Sequence, residues 1–510
     1  MPDSLAGRVT RAALWSGINT VAMRLAGVVI TMVMLRIVTP AEFGNYAVAL
    51  AVFTVVSSFS ELGLTACMAQ ADMDPAEVGP TVSFLSIVIG LGLAAVMLVA
   101  APGLAALLGA PDSANALRIL ALCIAMVGLF TIPCGLLARE FRQDAMFFGA
   151  AAAFIPGNVL MLLLALNGPG DIAFAWSRVF GQLVTGCVLL WFARKFYRPR
   201  FDRQQARRVL RFGLPIAGAN LVGFMLINAD FLFVSKVLGP VRLGIYTLAF
   251  NVSSWATAML SSMVVNVAMP MFSHAKSDPD RLGRALRGSL SLICLAAFPM
   301  SGFTLVLSGE IVDTLYGHRW SSAAPVIVVL GVYGSLLVGS LLLGSLLVGA
   351  GRPSRNLVVQ VVWLVVLVPA MFVGVELDGM RGAAWAHVAV IVLVVLPTYF
   401  VLARRLVEHL ARTLLVSTMP AFALTIVSAS AAWAAKQASD VTVLRLAIGL
   451  LVGSVVYLGF GLPIMGRYLP GRVMRLLGRV RLDSWARYPL YDRLRRQPEV
   501  LVQDQPASRL

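Results

Sequence analysis

Long apolar runs alternate with short polar stretches along the whole of this 510-residue chain. Most runs are about 20 residues long, which is the length of helix needed to cross the hydrocarbon core of a bilayer. Lipid offers no hydrogen-bond partner to a bare backbone, so such runs must form helices. The pattern predicts fourteen transmembrane helices, at 11–38, 44–69, 80–102, 116–138, 146–167, 170–192, 212–238, 241–272, 286–308, 323–349, 356–376, 380–402, 413–436 and 442–466.

The composition also indicates a membrane protein. Hydrophobic residues make up 59% of the chain and charged residues only 13%, whereas a soluble domain is about one quarter charged. The first apolar run is too long for a signal-peptide core and lacks a small-x-small cleavage site, so it is predicted to remain as a helix. The five cysteines lack metal-ligand spacing and are interpreted as small buried residues: Cys67, Cys123, Cys134, Cys187 and Cys294.

The formal net charge of +17 is concentrated in the polar loops and the C-terminal tail. If the N-terminus is cytoplasmic, 31 of the 41 Lys and Arg residues lie on the inner side and eight in outer loops. Cytoplasmic loops are enriched in basic residues, so both termini are predicted to be cytoplasmic. The predicted partner of this charge is the anionic inner leaflet, and not nucleic acid.

The two parts of the chain that flank a basic segment resemble each other. Four residues recur at a constant offset of 200: Pro40, Gly44, Tyr46 and Ala49 match Pro240, Gly244, Tyr246 and Ala249. Ala175-Trp176 recurs near the end of the second part as Ala384-Trp385. Since each part has an even number of predicted spans, the two copies enter the membrane in the same direction, as parallel repeats.

The predicted fold is therefore an all-α integral membrane protein with two parallel-repeat six-helix lobes around a central cavity, plus two C-terminal helices. Rocking of two such lobes gives alternating access, which predicts a transporter. The predicted domains are an N-terminal lobe at 1–192, a basic cytoplasmic linker at 193–211, a C-terminal lobe at 212–405, two additional helices at 406–466 and a basic tail at 467–510.

Four segments carry a family resemblance, namely Leu35–Tyr46, Phe59–Leu64, Leu315–Pro325 and Gly349–Pro353. In order and spacing, across roughly 10–405, the chain resembles the polysaccharide flippases of the multidrug/oligosaccharidyl-lipid/polysaccharide exporter superfamily. The resemblance implies a protein of the bacterial cytoplasmic membrane that is not an enzyme. It also implies that the cargo is an undecaprenyl-diphosphate-linked oligosaccharide, used to assemble a cell-surface polysaccharide.

Ionisable side chains are costly within lipid unless they face water or a partner, so those inside the spans are candidate functional residues. Arg24 lies on a small, polar stripe of the first span and faces either the cavity or an ion-pair partner such as Glu61. Arg178 lies about eight residues, or roughly 12 Å, from the outer end of the sixth span. It faces the cavity or snorkels to the outer surface. Because guanidinium makes paired bonds to phosphate, Arg24 and Arg178 are hypothesised to hold the diphosphate.

Polar residues of the seventh and eighth spans form a second candidate surface. Asn220 and Asp230 in the seventh span, and Asn251 and Ser254 in the eighth, are predicted to face the glycan. The alternative is that these side chains are hydrogen-bonded glue between helices. His387 is interpreted as a packing histidine, with a proton switch as the alternative.

Three other functions compete with the flippase. A cation-coupled drug antiporter of the same superfamily needs an acidic and aromatic cavity, whereas these spans contain two arginines away from their ends, Arg24 and Arg178. A polymerase or glycosyltransferase needs a sizeable outer loop, yet the longest, 309–322, has only Glu310 and Asp313 as acids. A scaffold without transport would leave the charged residues unexplained. No bound cofactor or metal is predicted, and the coupling ion, H⁺ or Na⁺, is left open.

The basic tail contains one further pattern. Arg472, Arg475 and Arg479 alternate with apolar residues at helical spacing, which predicts an amphipathic helix on the inner surface. Its predicted role is anchoring to anionic lipid, and the alternative is docking to a polysaccharide assembly enzyme.

Overall fold

The computed structural model describes residues 26–61, 63–69, 73–140, 142–264 and 268–465. These residues form helices and turns and contain no strand, which confirms the all-α prediction. Two short 3₁₀ helices occur at Pro111–Ser113 and His318–Ala323. The α-helices are α1 Ala26–Ile37, α2 Pro40–Glu61, α3 Leu64–Ala69, α4 Pro75–Leu107, α5 Ala114–Arg139, α6 Gln143–Asn167, α7 Gly170–Ala193, α8 Arg203–Met263, α9 Met269–Ala275, α10 Pro279–Leu315, α11 Ala324–Gly349, α12 Pro353–Val390, α13 Leu396–Ala403, α14 Leu410–Lys436 and α15 Thr442–Met465.

Glycines with positive φ interrupt the helices at three places. Gly63 (φ 66°) separates α2 from α3, so the predicted single span 44–69 is wrong and consists of two helices. Gly239 (φ 79°) interrupts α8 directly before Pro240, and Gly379 (φ 54°) interrupts α12. A side chain strongly disfavours this left-handed region, which is why glycine occupies all three breaks.

The described helices are long and apolar enough to cross a membrane in twelve segments. One of these segments, Pro353–Ala403, contains the break at Gly379 between two predicted spans. The described part of the first predicted span is the short helix α1. The number fourteen therefore stays a prediction. Large apolar side chains lie on the outside of these helices, for example Val99 at 84% exposure, as expected for surfaces that contact lipid.

The helices form two compact units. The first unit comprises Met1–Ala249, Leu315–Ala323 and Leu364–Ala386. The second comprises Phe250–Thr314, Ala324–Trp363 and His387–Leu510. These units are defined by contacts, whereas the two six-helix lobes were inferred from sequence repeats, and the lobe boundaries stay a prediction.

The core of the first unit is built from small residues that let helices approach closely. Ala94 and Ala101 of α4 and Ala175 of α7 are almost fully buried in one cluster with α2 and α5. A Cβ atom on Gly128 of α5 would collide with the carbonyl oxygen of Ser86 in α4. Close packing of this kind holds helices together where apolar burial offers little advantage over lipid.

In the second unit, the two C-terminal helices pack against α10. The Tyr457 hydroxyl of α15 donates a hydrogen bond to the carbonyl oxygen of Leu295, at 2.6 Å. Lys436 of α14 forms an ion pair with Glu310 of α10, with an N–O distance of 2.9 Å, and both side chains are largely buried. Removing one partner of such a pair would be costly, because the other charge would be left alone in a buried place.

The cysteines divide by their position on the helices. Cys67, Cys123 and Cys294 are buried and Cys134 is half-buried, as interpreted from the sequence. Cys187 is exposed, so the prediction of burial is wrong there. It lies on the outward face of α7, one helical turn from the exposed Leu183 and Trp191.

Candidate functional site

Arg178 lies on α7 with its side chain exposed and not sequestered in the core. Its guanidinium carbon is 5.2 Å from the centre of the Phe53 ring in α2, a cation–π contact. Beside it, Tyr46 of α2 stacks on Phe174 of α7 with ring centres 4.9 Å apart. Arg178 makes no ion pair with another described residue. It is therefore a positioned cation that can still accept an anion.

Two polar contacts fix the position of α7, and with it the position of Arg178. The backbone N–H of Gly170, at the start of α7, donates to a carboxylate oxygen of Glu42 at 3.0 Å. The Ser177 hydroxyl, next to the arginine, donates to the carbonyl oxygen of Gly157 in α6 at 2.8 Å. Together they tie α7 to α2 and α6, so the place of Arg178 is set by the packed bundle.

Glu61 is the last residue of α2 and is exposed. It is eight residues from Phe53 along α2, a separation of roughly 12 Å. The structure therefore does not pair Glu61 with Arg178, which contacts the middle of the same helix. Its predicted partner Arg24 lies outside the described residues, as does the tail with its predicted amphipathic helix.

The two predicted residues of the seventh span have different surroundings. Asn220 is exposed on α8. Asp230, ten residues further along, is fully buried, and the Tyr246 hydroxyl donates to its carboxylate at 2.9 Å. This is the contact expected from the packing alternative, in which the polar group joins two helical segments across the break at Gly239.

Asn251 and Ser254 belong to the second unit and are both half-buried. The Ser254 hydroxyl donates to the carbonyl oxygen of Asn251 at 2.9 Å, a bond within the helix. On the same helix, Ser253 and Thr257 line a small cavity of about 30 Å³, whose other walls come from α10 and α11. A cavity of that size holds a water molecule, not a sugar.

His387 is buried in the second unit, with its ring centre 4.7 Å from that of Tyr333. This packing fits its interpretation as a core histidine.

Sequence reasoning matched Gly44 with Gly244 but did not predict that they touch. A Cβ on Gly44 would collide with the carbonyl oxygen of Pro240, and a Cβ on Gly244 would collide with that of Pro40. Each added Cβ would also lie 3.0 Å from the other glycine's amide nitrogen. This reciprocal contact, the glycine crossing (Pro40, Gly44, Pro240 and Gly244), lies within the first unit and joins the equivalent segments of the two repeats.

A second contact lies close to the glycine crossing. The indole N–H of the buried Trp320 donates to the carbonyl oxygen of Leu35 at 2.8 Å. The Trp320 ring also packs edge-on against Phe43, with centres 6.0 Å apart. Arg36 donates from Nε to the carbonyl oxygen of Leu315 at 3.2 Å. The 315–323 loop is thus fastened to the end of α1 and the start of α2.

The structure is a bundle of apolar helices with charged side chains inside its spans, and equivalent glycines of the two matching sequence segments are in contact. This is the architecture of a polytopic membrane transporter. The chain belongs to the polysaccharide biosynthesis protein family, whose model matches residues 33–325. This finding confirms the family resemblance.

Relatives with established names extend the match over most of the chain. The succinoglycan biosynthesis transport protein ExoT of Rhizobium meliloti is 29% identical over 66% of this chain and 68% of its own length. The lipopolysaccharide biosynthesis protein WzxC of Escherichia coli is 25% identical over 78% and 82%. The teichuronic acid biosynthesis protein TuaB of Bacillus subtilis is 23% identical over 89% and 95%.

Solved structures share the fold. The lipid II flippase MurJ, in an inward closed conformation, superposes with a TM-score of 0.72 and 14% identity, over 88% of this chain and 98% of that one. An inward-facing multidrug resistance transporter of the MATE family superposes with a TM-score of 0.62 and 14% identity, over 75% and 94%. At this identity the likeness concerns the arrangement of helices and not the cargo.

Proposed function

We propose that the protein moves an undecaprenyl-diphosphate-linked oligosaccharide from the inner to the outer leaflet of the bacterial cytoplasmic membrane, for assembly of a cell-surface polysaccharide. The relatives are named for succinoglycan transport and for lipopolysaccharide and teichuronic acid biosynthesis. Their names refer to different polymers. The task that such proteins share is therefore to carry a glycan past the hydrocarbon core. In the proposed topology both termini lie in the cytoplasm, as the charge pattern predicts.

The observation that carries the proposal is the environment of Arg178. Its guanidinium is exposed, lies over the face of Phe53 and has no ion-pair partner among the described residues. An arginine held in this way attracts phosphate through paired N–H bonds and repels organic cations. The rival function of a drug antiporter needs the opposite charge at this place.

Alternating access is the proposed mechanism, and the glycine crossing is the contact that would open and close. It joins backbone to backbone at equivalent positions of the two repeats. A contact without interlocking side chains can separate without a change of rotamer in any large side chain. Rocking of parallel repeats about their axis would move these two segments in a symmetric way.

The test is a strain that lacks the gene, analysed for lipid-linked glycan. The expected result is that the lipid-diphosphate-linked repeat unit accumulates inside the cell and that the wild-type gene restores the surface polymer. A strain that accumulates no such intermediate, or a purified protein that exports a labelled organic cation from vesicles, would contradict the proposal.

The variant Arg178→Ala tests the residue. Loss of a charged hydrogen-bonding group costs about 1.5–3 kcal/mol, so export should fall by at least about tenfold while the membrane abundance stays constant. Arg118→Ala is the matched control, because Arg118 is an exposed arginine of the same unit whose one side-chain hydrogen bond within the described residues is to Asn115, at 3.1 Å. Equal export by the two variants would remove Arg178 from the mechanism.

A further inference from the structure

α8 begins well before the apolar run that it continues into. Its first residue is Arg203, whereas the predicted span begins at 212. Asp202 caps the start, because its carboxylate accepts hydrogen bonds from the backbone N–H groups of Gln204 (2.8 Å) and Gln205 (3.1 Å). The basic segment between the sixth and seventh predicted spans is therefore partly an ordered helix.

Arginines on this first part of α8 line a depression of about 1000 Å³ in the first unit. Arg203, Arg207 and Arg211 recur every fourth residue and so share one helical face, with Arg208 beside them. We call this depression the arginine pocket, and its walls are formed by Met73, Arg203, Gln204, Arg207, Arg208, Arg211 and Phe212.

The opposite face of this helix is anchored in the protein core. Val209 is fully buried in a cluster with Leu64, Met68 and Val78. Its carbonyl oxygen accepts a hydrogen bond from the thiol of Cys67, with a sulfur–oxygen distance of 3.7 Å. Solvated polybasic linkers, which bind membranes by charge alone, need no such packing. Here the packed core fixes the orientation of the helix face that carries the four arginines.

The chain leading to this helix is anchored as well. The backbone N–H of Arg200 donates to the carbonyl oxygen of Pro80 in α4 at 3.1 Å. The ring of Tyr197 lies so close to Gly79 that an added Cβ would be 2.8 Å from it. The Phe201 ring packs on Phe84, with centres 5.5 Å apart. The arginine pocket is thus built on both sides from packed structure.

The charges in the pocket are largely uncompensated. Arg203, Arg207 and Arg211 form no ion pair with another described residue. Glu77 is 3.9 Å from Arg208, and both of these side chains are about half exposed, so the pair is weak. Three guanidinium groups that make no ion pair with another described residue, on one face of a packed helix, raise the local positive potential and favour an anion with more than one charge.

We propose that the arginine pocket is a docking site for the diphosphate of the lipid-linked sugar before it enters the transport path. This proposal rests on the proposed function and names a second phosphate site, apart from Arg178. The first and last of the three arginines on this face are eight residues apart, or about 12 Å, which suits two adjacent phosphates better than the single phosphate of a membrane phospholipid. The volume also admits a sugar beside the diphosphate, with Phe212 available for stacking against it.

The test uses the full-length protein, purified into nanodiscs of zwitterionic phosphatidylcholine. The probes are farnesyl diphosphate and farnesyl monophosphate, which share a short polyprenyl tail and differ by one phosphate. The triple variant Arg203→Gln, Arg207→Gln, Arg211→Gln removes the basic face. Arg404→Gln with Arg405→Gln is the matched control, because both arginines are exposed and lie in the other unit.

We expect the Kd of farnesyl diphosphate to rise at least about tenfold in the triple variant and to stay within about twofold in the control. We also expect the wild type to bind the diphosphate more tightly than the monophosphate. Unchanged binding by the triple variant would overturn the proposal. Displacement of the diphosphate by an equal concentration of phosphatidylglycerol would overturn it too, in favour of a site for anionic phospholipid.

Two further measurements keep these outcomes interpretable. Protection of Arg203, Arg207 and Arg211 from phenylglyoxal by pyrophosphate, measured by mass spectrometry on the wild type, tests the site even if the triple variant misfolds; no protection counts against it. In the deletion strain, the triple variant should need more lipid-linked intermediate for half-maximal export. If the deletion strain accumulates no intermediate, the proposed function fails, whatever the pocket binds.

Discussion

The two ends of α2 have opposite characters. At its start, the glycine crossing joins two backbones through small, uncharged residues. At its end, roughly 28 Å away, Gly63 touches Gly213 of α8, next to the arginine pocket. One end of the helix is thus a tight contact without charge, and the other is an open surface with four cations.

This difference indicates separate tasks for the two ends. A backbone contact between equivalent glycines carries no information about a ligand, but it can close tightly and be broken without exposing buried charge. A set of neighbouring guanidinium groups forms a tight helix contact poorly, because the like charges repel one another, but it binds phosphate. The two proposals therefore assign selection of the cargo and closure of the path to different chemistry at the two ends of one helix.

Gly44→Leu should have the largest effect, because it breaks the closed end. Its side chain would collide with the carbonyl oxygen of Pro240. Overpacking of such a contact costs about 1–3 kcal/mol or more, so export should fall by about 100-fold. Gly244→Leu should behave alike, since the contact is reciprocal. Export of the surface polymer by the deletion strain, with membrane abundance measured in parallel, checks this.

The matched control for that substitution is Gly103→Leu in α4, where an added Cβ meets no atom within 4 Å. It should export like the wild type. If Gly44→Leu also exports normally, the glycine crossing is not a contact that transport requires, and the two ends of α2 cannot be assigned closure and recognition.

Trp320→Phe should have an intermediate effect on the same end. It removes the indole N–H that bonds to Leu35 but keeps a ring against Phe43. One hydrogen bond contributes about 0.5–1.5 kcal/mol, so export should fall by about twofold to tenfold. The exposed Trp433→Phe in the second unit serves as control, and an equal loss there would show that the bond to Leu35 has no special role.

Much of the fold follows from the hydrophobic pattern, because each apolar run must satisfy its own backbone within lipid. Helix ends were harder to predict. The break at Gly63 lies inside an apolar run, where hydropathy does not register a change in φ. The start of α8 at Arg203 could not be predicted for a different reason. The polar face of this first part of α8 has the composition of a solvated loop, and its buried face, around Val209, is too short to give a hydropathy signal.

The candidate site could be predicted only as a set of residue types. Arg178 was found because a charge in an apolar run is costly. The sequence repeat showed that Gly44 and Gly244 occupy equivalent positions, but it did not show that they are close in space. Glycine has no side chain whose chemistry would indicate such a contact. Asp230 was predicted to face the glycan, but the structure buries it against Tyr246. The sequence did not reveal this contact, because it depends on the bend at Gly239, which brings together residues 16 positions apart.

Glu77→Gln should have the smallest effect, and it acts at the arginine pocket. Removing this carboxylate takes a negative charge away from the pocket and ends its ion pair with Arg208, from which it is 3.9 Å distant. An exposed ion pair contributes about 0–1 kcal/mol, so binding of farnesyl diphosphate should tighten by no more than about fivefold, and less at high salt. Glu408→Gln, an exposed carboxylate of the other unit, should leave the Kd unchanged. Weaker binding in Glu77→Gln would mean that Glu77 orients Arg208 towards the phosphate, so that recognition at this end depends on a positioned pair and not on accumulated positive charge.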